Sequence, residues 1–144
     1  MRYGAVLPGG TATEQLDQAV LAEQAGWDGL FVWEAAYGVD AWSLLAAIAA
    51  RTTRIRLGSM LTPLPWRRPW KVASQVATLD QLSDGRAILA VGVGAVDTYL
   101  PDTGEVTELR ARAERMDEGP RQLLRADGFA RADVENAVAA VTSG

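Results

Sequence analysis

Short apolar runs alternate four times with longer stretches of helical periodicity between Tyr3 and Gly94. The first run, Tyr3 to Leu7, is closed by Pro8-Gly9-Gly10. Behind it Leu16, Ala19 and Val20 fall at helical spacing, with Thr11 or Thr13 placed to cap the helix. Gly26-Trp27-Asp28-Gly29 ends that helix and leads into a second run, Leu30 to Trp33. Asp40 precedes an Ala/Leu-rich helix, Ala41 to Arg51, and Ile55 to Met60 forms the third strand. Pro63, Pro65 and Pro69 punctuate the following loop. Val72, Val76, Leu79 and Leu82 mark the next helix, which Asp84-Gly85 stops. Ala87 to Val93 then reads as one continuous apolar strand. Beyond Gly94 the rhythm weakens. Val106 to Met116 is a charged helix carrying Leu109, Ala113 and Met116 on one side, ended or kinked by Gly119-Pro120. A last helix is expected near Ala132 to Val141.

Strands that are apolar on both faces and separated by helices imply an α/β fold with a parallel sheet. A doubly wound open sheet and a (β/α)8 barrel share this rhythm, and periodicity alone leaves both open.

Composition narrows the chemistry. The chain has 144 residues, 49% of them hydrophobic and 22% charged, which suits one globular domain with a core of its own. A net charge of −4 argues against nucleic acid and anionic membranes as partners, since both require a basic footprint. There is no cysteine and no histidine, so thiolate catalysis, disulfides, histidine-based triads and zinc sites of the usual kind are excluded. No metal site is expected. The apolar run at the N-terminus is too short for a signal peptide, and no segment reaches the ~20 apolar residues of a membrane span. The expectation is a cytoplasmic protein with a small-molecule substrate.

Three stretches, taken together in this order and spacing, resemble one family. They are Ala22-Glu23-Gln24-Ala25-Gly26-Trp27-Asp28-Gly29-Leu30-Phe31-Val32-Trp33-Glu34; Arg51-Thr52-Thr53-Arg54-Ile55-Arg56-Leu57-Gly58-Ser59; and Pro69 followed by Leu79-Asp80-Gln81-Leu82-Ser83-Asp84-Gly85-Arg86 and Val91-Gly92-Val93-Gly94. The family is that of the bacterial-luciferase-like, flavin- or deazaflavin-dependent oxidoreductases, and the likeness covers about residues 1–119. It implies a partial (β/α)8 TIM barrel of about four βα units: residues 1–119 as the half-barrel and 120–144 as a divergent helical tail of the same domain. A full barrel takes about 250 residues.

Gly26 and Gly29 bracket a helix-to-strand turn and permit positive φ there; Gly85 stops a helix with Asp80, Ser83 and Arg86 around it. In a barrel these positions lie at the N-terminal ends of strands, the face that serves stability. They are therefore read as structural. Chemistry belongs at the opposite, C-terminal ends: Leu7 to Gly10, Glu34 to Asp40, Ser59 to Trp66 and Gly92 to Asp97.

There Gly92 and Gly94 either let a flat ring approach the backbone or pack closely against neighbouring strands. The resemblance favours the ring, with Ala95 beside it. Ser59, Met60 and Leu61 match the family segment that supports a flavin, often through a non-proline cis peptide, here between Met60 and Leu61; the alternative for Met60 and Leu61 is core packing. Glu34 stands where the family has an acidic residue, either a cofactor contact or a structural anchor. Ala35 occupies the place where a histidine usually follows, so a role for that histidine is missing and no catalytic residue is assigned. Trp33, Tyr37, Trp42, Trp66 and Trp70 gather near this face, with Tyr37, Trp42 and Trp66 as candidate walls of a substrate pocket. Arg67, Arg68 and Lys71 form a basic cluster best read as a solvated loop.

The resemblance implies FMN or coenzyme F420 as cofactor, bound weakly or not at all by the isolated chain, because the family's phosphate grip lies in its second half. It also implies an oxidoreductase or monooxygenase acting on a small organic substrate as a homodimer or higher oligomer. The alternative is a non-catalytic structural subunit that keeps the fold.

Overall fold

A computed structural model of the chain describes residues 1–94 and 108–115. Three helices are laid against one parallel sheet. The elements run β1 (Gly4–Val6), α1 (Ala12–Gln24), β2 (Gly29–Val32), α2 (Ala41–Arg51), β3 (Arg56–Ser59), β4 (Thr62–Pro63), a 3-10 turn (Leu64–Trp66), α3 (Pro69–Ser83), β5 (Ala87–Ile88) and β6 (Val91–Gly92). Residues 109–115 add a further helical segment. The main sheet has the order β1-β2-β3-β5, every pair parallel. Sequential strands lie side by side, joined by helices packed on one face, which is the barrel arrangement rather than the doubly wound one.

Helix boundaries follow their caps. Thr11 caps α1 with a capping box: its hydroxyl accepts from the Glu14 N–H at 3.2 Å, and the Glu14 carboxylate accepts from the Thr11 N–H at 2.8 Å. Asp40 caps α2 by accepting from the Ser43 N–H at 2.8 Å. No side chain caps α3, which opens on Pro69. It ends with Asp84 in the left-handed region (φ 55°) and Gly85 at φ 77°, the stop expected from the sequence.

The strand registers explain the apolar runs. Ala5, Leu30, Leu57 and Ala87 are level with one another and turn toward the helices. There they join Leu7, Val32, Ile55, Leu45, Ile48 and Leu79 in the core. The alternate row, Val6, Phe31, Gly58 and Ile88, therefore faces the other way, into what would be a barrel's interior. Two residues toward the N-termini on the same face the row is Gly4, Gly29 and Arg56. This inner face is less apolar than the continuous runs suggested, because glycine and arginine occupy so much of it. Of the two glycines that bracket the α1–β2 turn, Gly26 takes positive φ (88°) and Gly29 does not; Gly29 sits within β2, with the Phe31 ring 3.6 Å from where a Cβ would stand.

The fourth strand is not continuous. Gly58 pairs with Ile88, but the next pairing is Thr62 with Val91, so four residues on one side span three on the other. The extra residue acts as a bulge and breaks Ala87 to Val93 into β5 and β6, the latter paired with β4. The expected helix from Val106 to Met116 is seen over residues 109–115, and the expected helix near Ala132 to Val141 lies outside the described residues.

At the N-terminal ends of the strands two side chains gather the chain. Arg86 spends all five guanidinium N–H groups on fixed acceptors: Nε donates to the Ser83 carbonyl (2.6 Å), Nη1 to the Ile55 carbonyl (2.8 Å) and Thr52 hydroxyl (2.9 Å), and Nη2 to the Thr52 (2.9 Å) and Ala49 (3.1 Å) carbonyls. The Glu23 carboxylate accepts the backbone N–H groups of Thr53, Arg54 and Ile55 at 2.7–3.1 Å, which joins α1 to the start of β3. Burial pushes the Glu23 carboxyl up, but the three N–H donors and the nearby Arg86 charge outweigh it and hold it below the ordinary 4.5.

Two outcomes follow for stability. Arg86→Ala should lower unfolding free energy by about 3 kcal/mol or more, read by urea denaturation, because several carbonyls lose their donor together. A loss below about 1 kcal/mol would show that the carbonyls find other partners. Glu23 has a folded-state pKa below its unfolded value, so its stabilisation is complete above about pH 5 and disappears as the pH falls through the folded value. The stability difference between wild type and Glu23→Gln should therefore be large near neutral pH and shrink as the pH falls below 4.5. A difference independent of pH would remove charge from its cause.

Candidate functional site

The C-terminal ends of the strands carry a different kind of chemistry. At the end of β3 the Ser59 hydroxyl lies 2.6 Å from the Thr62 hydroxyl, both fully buried. Between them the Met60–Leu61 peptide is cis, as the family resemblance implied. The Met60 N–H donates to the Val32 carbonyl and the Thr62 N–H to the Ala90 carbonyl, each at 2.8 Å, so this segment bridges the second and fourth strands. Met60 is half-exposed and Leu61 partly buried. Leu61 reaches across to Gly92, where a Cβ would come within 2.7 Å of its side chain.

Gly94 is the meeting point of three groups. It has φ 74°, and a Cβ there would meet Pro63 and Trp66 at 2.9 Å and Arg112 Nη2 at 3.1 Å. On the side a Cβ would take, both Gly92 and Gly94 make room for protein rather than for open space. Arg112, from the helical segment 109–115, is fully buried, and its Nη2 donates to the carbonyls of Val93 and Gly94.

Glu34, just past β2, has a side chain only 3% exposed, and its Oε1 is paired with Arg67 Nη2. The basic cluster is thus not a free solvated loop. Arg67 is engaged with Glu34, Arg68 lies over the Trp70 ring at 5.9 Å from its centroid, and Lys71 is exposed. Arg67 also acts on Asp40. Burial pushes the Asp40 carboxyl up, but the Ser43 N–H and hydroxyl, the Arg67 charge and the Trp42 N–H together bring it below the ordinary 3.8. Arg67 thus pairs directly with Glu34 and acts on Asp40 through its charge alone.

Several buried polar atoms here have no partner: Glu34 Oε2, Trp42 Nε1, Trp66 Nε1, and Arg112 Nε and Nη1. Among the described residues they are five of seven such side-chain atoms, the others being on Gln18 and Gln75. Buried polar groups are ordinarily satisfied, so this concentration marks a place where a bound molecule could complete the hydrogen bonding. The set holds one acceptor, on Glu34, and several donors, on the tryptophans and Arg112.

The sequence-derived candidates are distributed unevenly. Ser59, Met60 and Leu61 come together with Gly92, and Trp66 with Gly94. Trp42 is 5% exposed and packs in the core between sheet and helices. Tyr37, Trp33 and Trp70 are more than half exposed. Ala95 lies outside the described residues. Thr62 falls within the candidate stretch Ser59 to Trp66, whereas Arg112 was missed: it is set among Arg110, Glu114 and Arg115 in a charged helix, and no pattern in the sequence separates it from its solvated neighbours. Among the described residues no group of acidic, histidine or cysteine side chains could hold a metal, and no helix is long and apolar enough to cross a membrane.

Comparison with known proteins agrees with this architecture. The family model for luciferase-like monooxygenases matches residues 2–126. The chain is 36% identical over 117 residues to 4-hydroxyprotoasukamycin monooxygenase of Streptomyces nodosus subsp. asukaensis, an alignment covering 76% of this chain and 32% of that protein. An F420-dependent secondary alcohol dehydrogenase, solved with an F420-acetone adduct, superposes with a TM-score of 0.75 at 27% identity, over 88% of this chain and 43% of that one. The oxygenating constituent of 3,6-diketocamphane monooxygenase from the CAM plasmid of Pseudomonas putida, solved with FMN, gives 0.66 at 25% identity, over 88% and 41%. The chain spans about a third of the length of the monooxygenase it matches. With its parallel sheet, one-sided helices and strand-end site, the chain belongs to the luciferase-like monooxygenase family.

Proposed function

We propose that the chain forms the first part of a ring-cofactor site in a luciferase-like oxidoreductase or monooxygenase that uses FMN or coenzyme F420 on a small organic substrate. The observation that carries this is the set of unpartnered buried polar atoms on Glu34, Trp42, Trp66 and Arg112, gathered at the strand ends where barrels place their chemistry. Relatives in the same family include proteins solved with an F420 adduct and with FMN. When bound, such a ring supplies the redox step by taking up or giving a hydride. The chain's own part is to hold and orient it. Ser59, Met60 and Leu61 would support the ring, with Gly92, Gly94 and Ala95 beside it. Glu34 would accept an N–H or O–H from the ligand through its free oxygen. Tyr37 and Trp66 would wall the substrate space and exclude water, while Trp42, expected there from the sequence, packs in the core instead. No residue is assigned as acid or base, because Ala35 stands where the family resemblance usually implies a histidine.

A non-catalytic structural subunit of the same fold is the second reading, favoured by the missing histidine. Titration of the purified chain with FMN and with coenzyme F420, followed by quenching of its five tryptophans, separates the two. The expected result is weak but saturable binding, with Kd above about 1 μM, since this part of the site offers few charge-assisted bonds for a phosphate. Submicromolar binding would overturn the expectation of weakness, and no quenching by either cofactor would leave only the structural role.

A homodimer or higher oligomer is expected to cover the open inner face, where Val6 is 41% and Trp33 59% exposed and Phe31 partly so. Light scattering at micromolar concentration checks this, and a monodisperse monomer would reject it.

A further inference from the structure

The loop that follows β3 is secured unevenly along its length. Its first half is tied by backbone bonds: the Met60 N–H to Val32, the Thr62 N–H to Ala90, and the β4–β6 pairing of Thr62 with Val91 and Pro63 with Gly92. Its second half, the 3-10 turn Leu64–Trp66 and Arg67, makes one backbone bond of its own, from the Arg67 N–H to the Leu64 carbonyl. The helix that follows also starts without an anchor. α1 has its capping box and α2 its aspartate, but Arg68 offers α3 no side-chain cap. Leu64 and Pro65 are buried and Trp66 packs on Gly94, and among the described residues the polar tie of this stretch to the end of β2 is the Arg67 guanidinium, held by a Glu34 carboxylate that is almost completely buried. Asp40, on the cap of α2, lies within reach of the same charge.

We infer that Glu34 and Arg67 form a latch that sets the second half of this loop, and Trp66 with it, against the ends of β2 and β6, so that Glu34 acts through Arg67 as a positioning residue for the ring site. The functional weight of this rests on the proposed ring-cofactor site. Three features of the pair support it. The carboxylate is fixed at the end of a core strand and cannot follow the loop outward. Arg67 is three-quarters covered, so its partner is not readily replaced by water. Trp66, the residue before Arg67, is the one packed on Gly94, so a shift of Arg67 moves the group that closes the fourth strand end.

Hydrogen exchange on the full chain tests the latch directly. Arg67→Gln and Glu34→Gln should each accelerate exchange at the Arg67 amide and at those of Lys71 and Val72 in the first turn of α3 by about tenfold or more, while α1 and β1 keep their protection. The double variant should be no faster than either single one, since both remove the same contact. Arg67→Lys, which keeps the charge and is the variant to rely on if a neutral one fails to fold, should restore most of the protection. Unchanged exchange, or effects of the two substitutions that add, would overturn the latch.

Titration with FMN and with coenzyme F420 then reads its consequence. Arg67→Gln should weaken binding by about tenfold, and Arg67→Lys should recover it. Accelerated exchange with unchanged affinity would overturn the positioning role. A wild-type chain that binds neither cofactor would refute the ring site, and with it that role, while the exchange pattern still decides whether the ion pair holds the loop.

Discussion

The half-barrel depends on one guanidinium. Three βα units have no reason to meet at a common level unless something fixes where each helix ends relative to the next strand, and Arg86 does this with five donors. It stands between the end of α3 and the start of β5, and it holds the end of α2 and the start of β3 by their carbonyls. Those carbonyls belong to a helix C-terminus and a turn, where the backbone has orphan acceptors that water would otherwise satisfy. A planar fork of fixed donors meets them at lower entropic cost than separate side chains would. Glu23 supplies the opposite charge to the same turn, accepting the N–H groups for which Arg86, a donor only, offers no acceptor. The strand registers, and with them which residues reach the far end of the sheet, follow from this lock.

A second buried arginine shows the difference between the two ends. Arg112 is as hidden as any described residue, yet it uses a single terminal nitrogen, while Nε and Nη1 are left without partners. Where Arg86 is saturated, Arg112 is unfinished. The same holds for Glu34, which spends one oxygen on Arg67 and keeps the other. Burying a polar atom with nothing to bond it costs stability, so a set of them at one end and a completed network at the other divides the molecule by task. The N-terminal face holds the fold together, and the C-terminal face retains unused hydrogen-bonding capacity.

How much of this could be read in the sequence depends on whether the cause was local. The helix Ala41 to Arg51 was legible residue for residue, because Asp40 caps it and an unbroken Ala/Leu run fills it. The strand starts at Leu30, Ile55 and Ala87 were legible to within a residue, and the Asp84-Gly85 stop has the left-handed geometry its residue types announce. The break in the fourth strand was not legible. Ala87 to Val93 is uniformly apolar, and the interruption comes from a register change in a partner some thirty residues earlier. The pairing of Arg67 with Glu34 was hidden for the same reason: 33 positions separate them, and Arg67 has the surroundings of a solvated loop. The cis peptide could be anticipated only through family resemblance, since Met60 and Leu61 have nothing in their side chains to demand it.

The glycines at the fourth strand end show why local sequence underdetermines a site. Gly92 and Gly94 read equally well as a platform for a flat ring or as close packing, and the neighbours decide what each lacks a side chain for. Leu61 fills the space at Gly92, and Pro63, Trp66 and Arg112 converge at Gly94. Each of these neighbours except Arg112 comes from the loop that the cis peptide and the Glu34–Arg67 pair locate. The two glycines thus serve the site by letting that loop come close, so that Trp66 and Arg112 can bring their unpartnered nitrogens to the strand end. A ring bound here would meet the loop's side chains as well as bare backbone. Its fit would then be set less by the glycines themselves than by whatever keeps the loop seated on them.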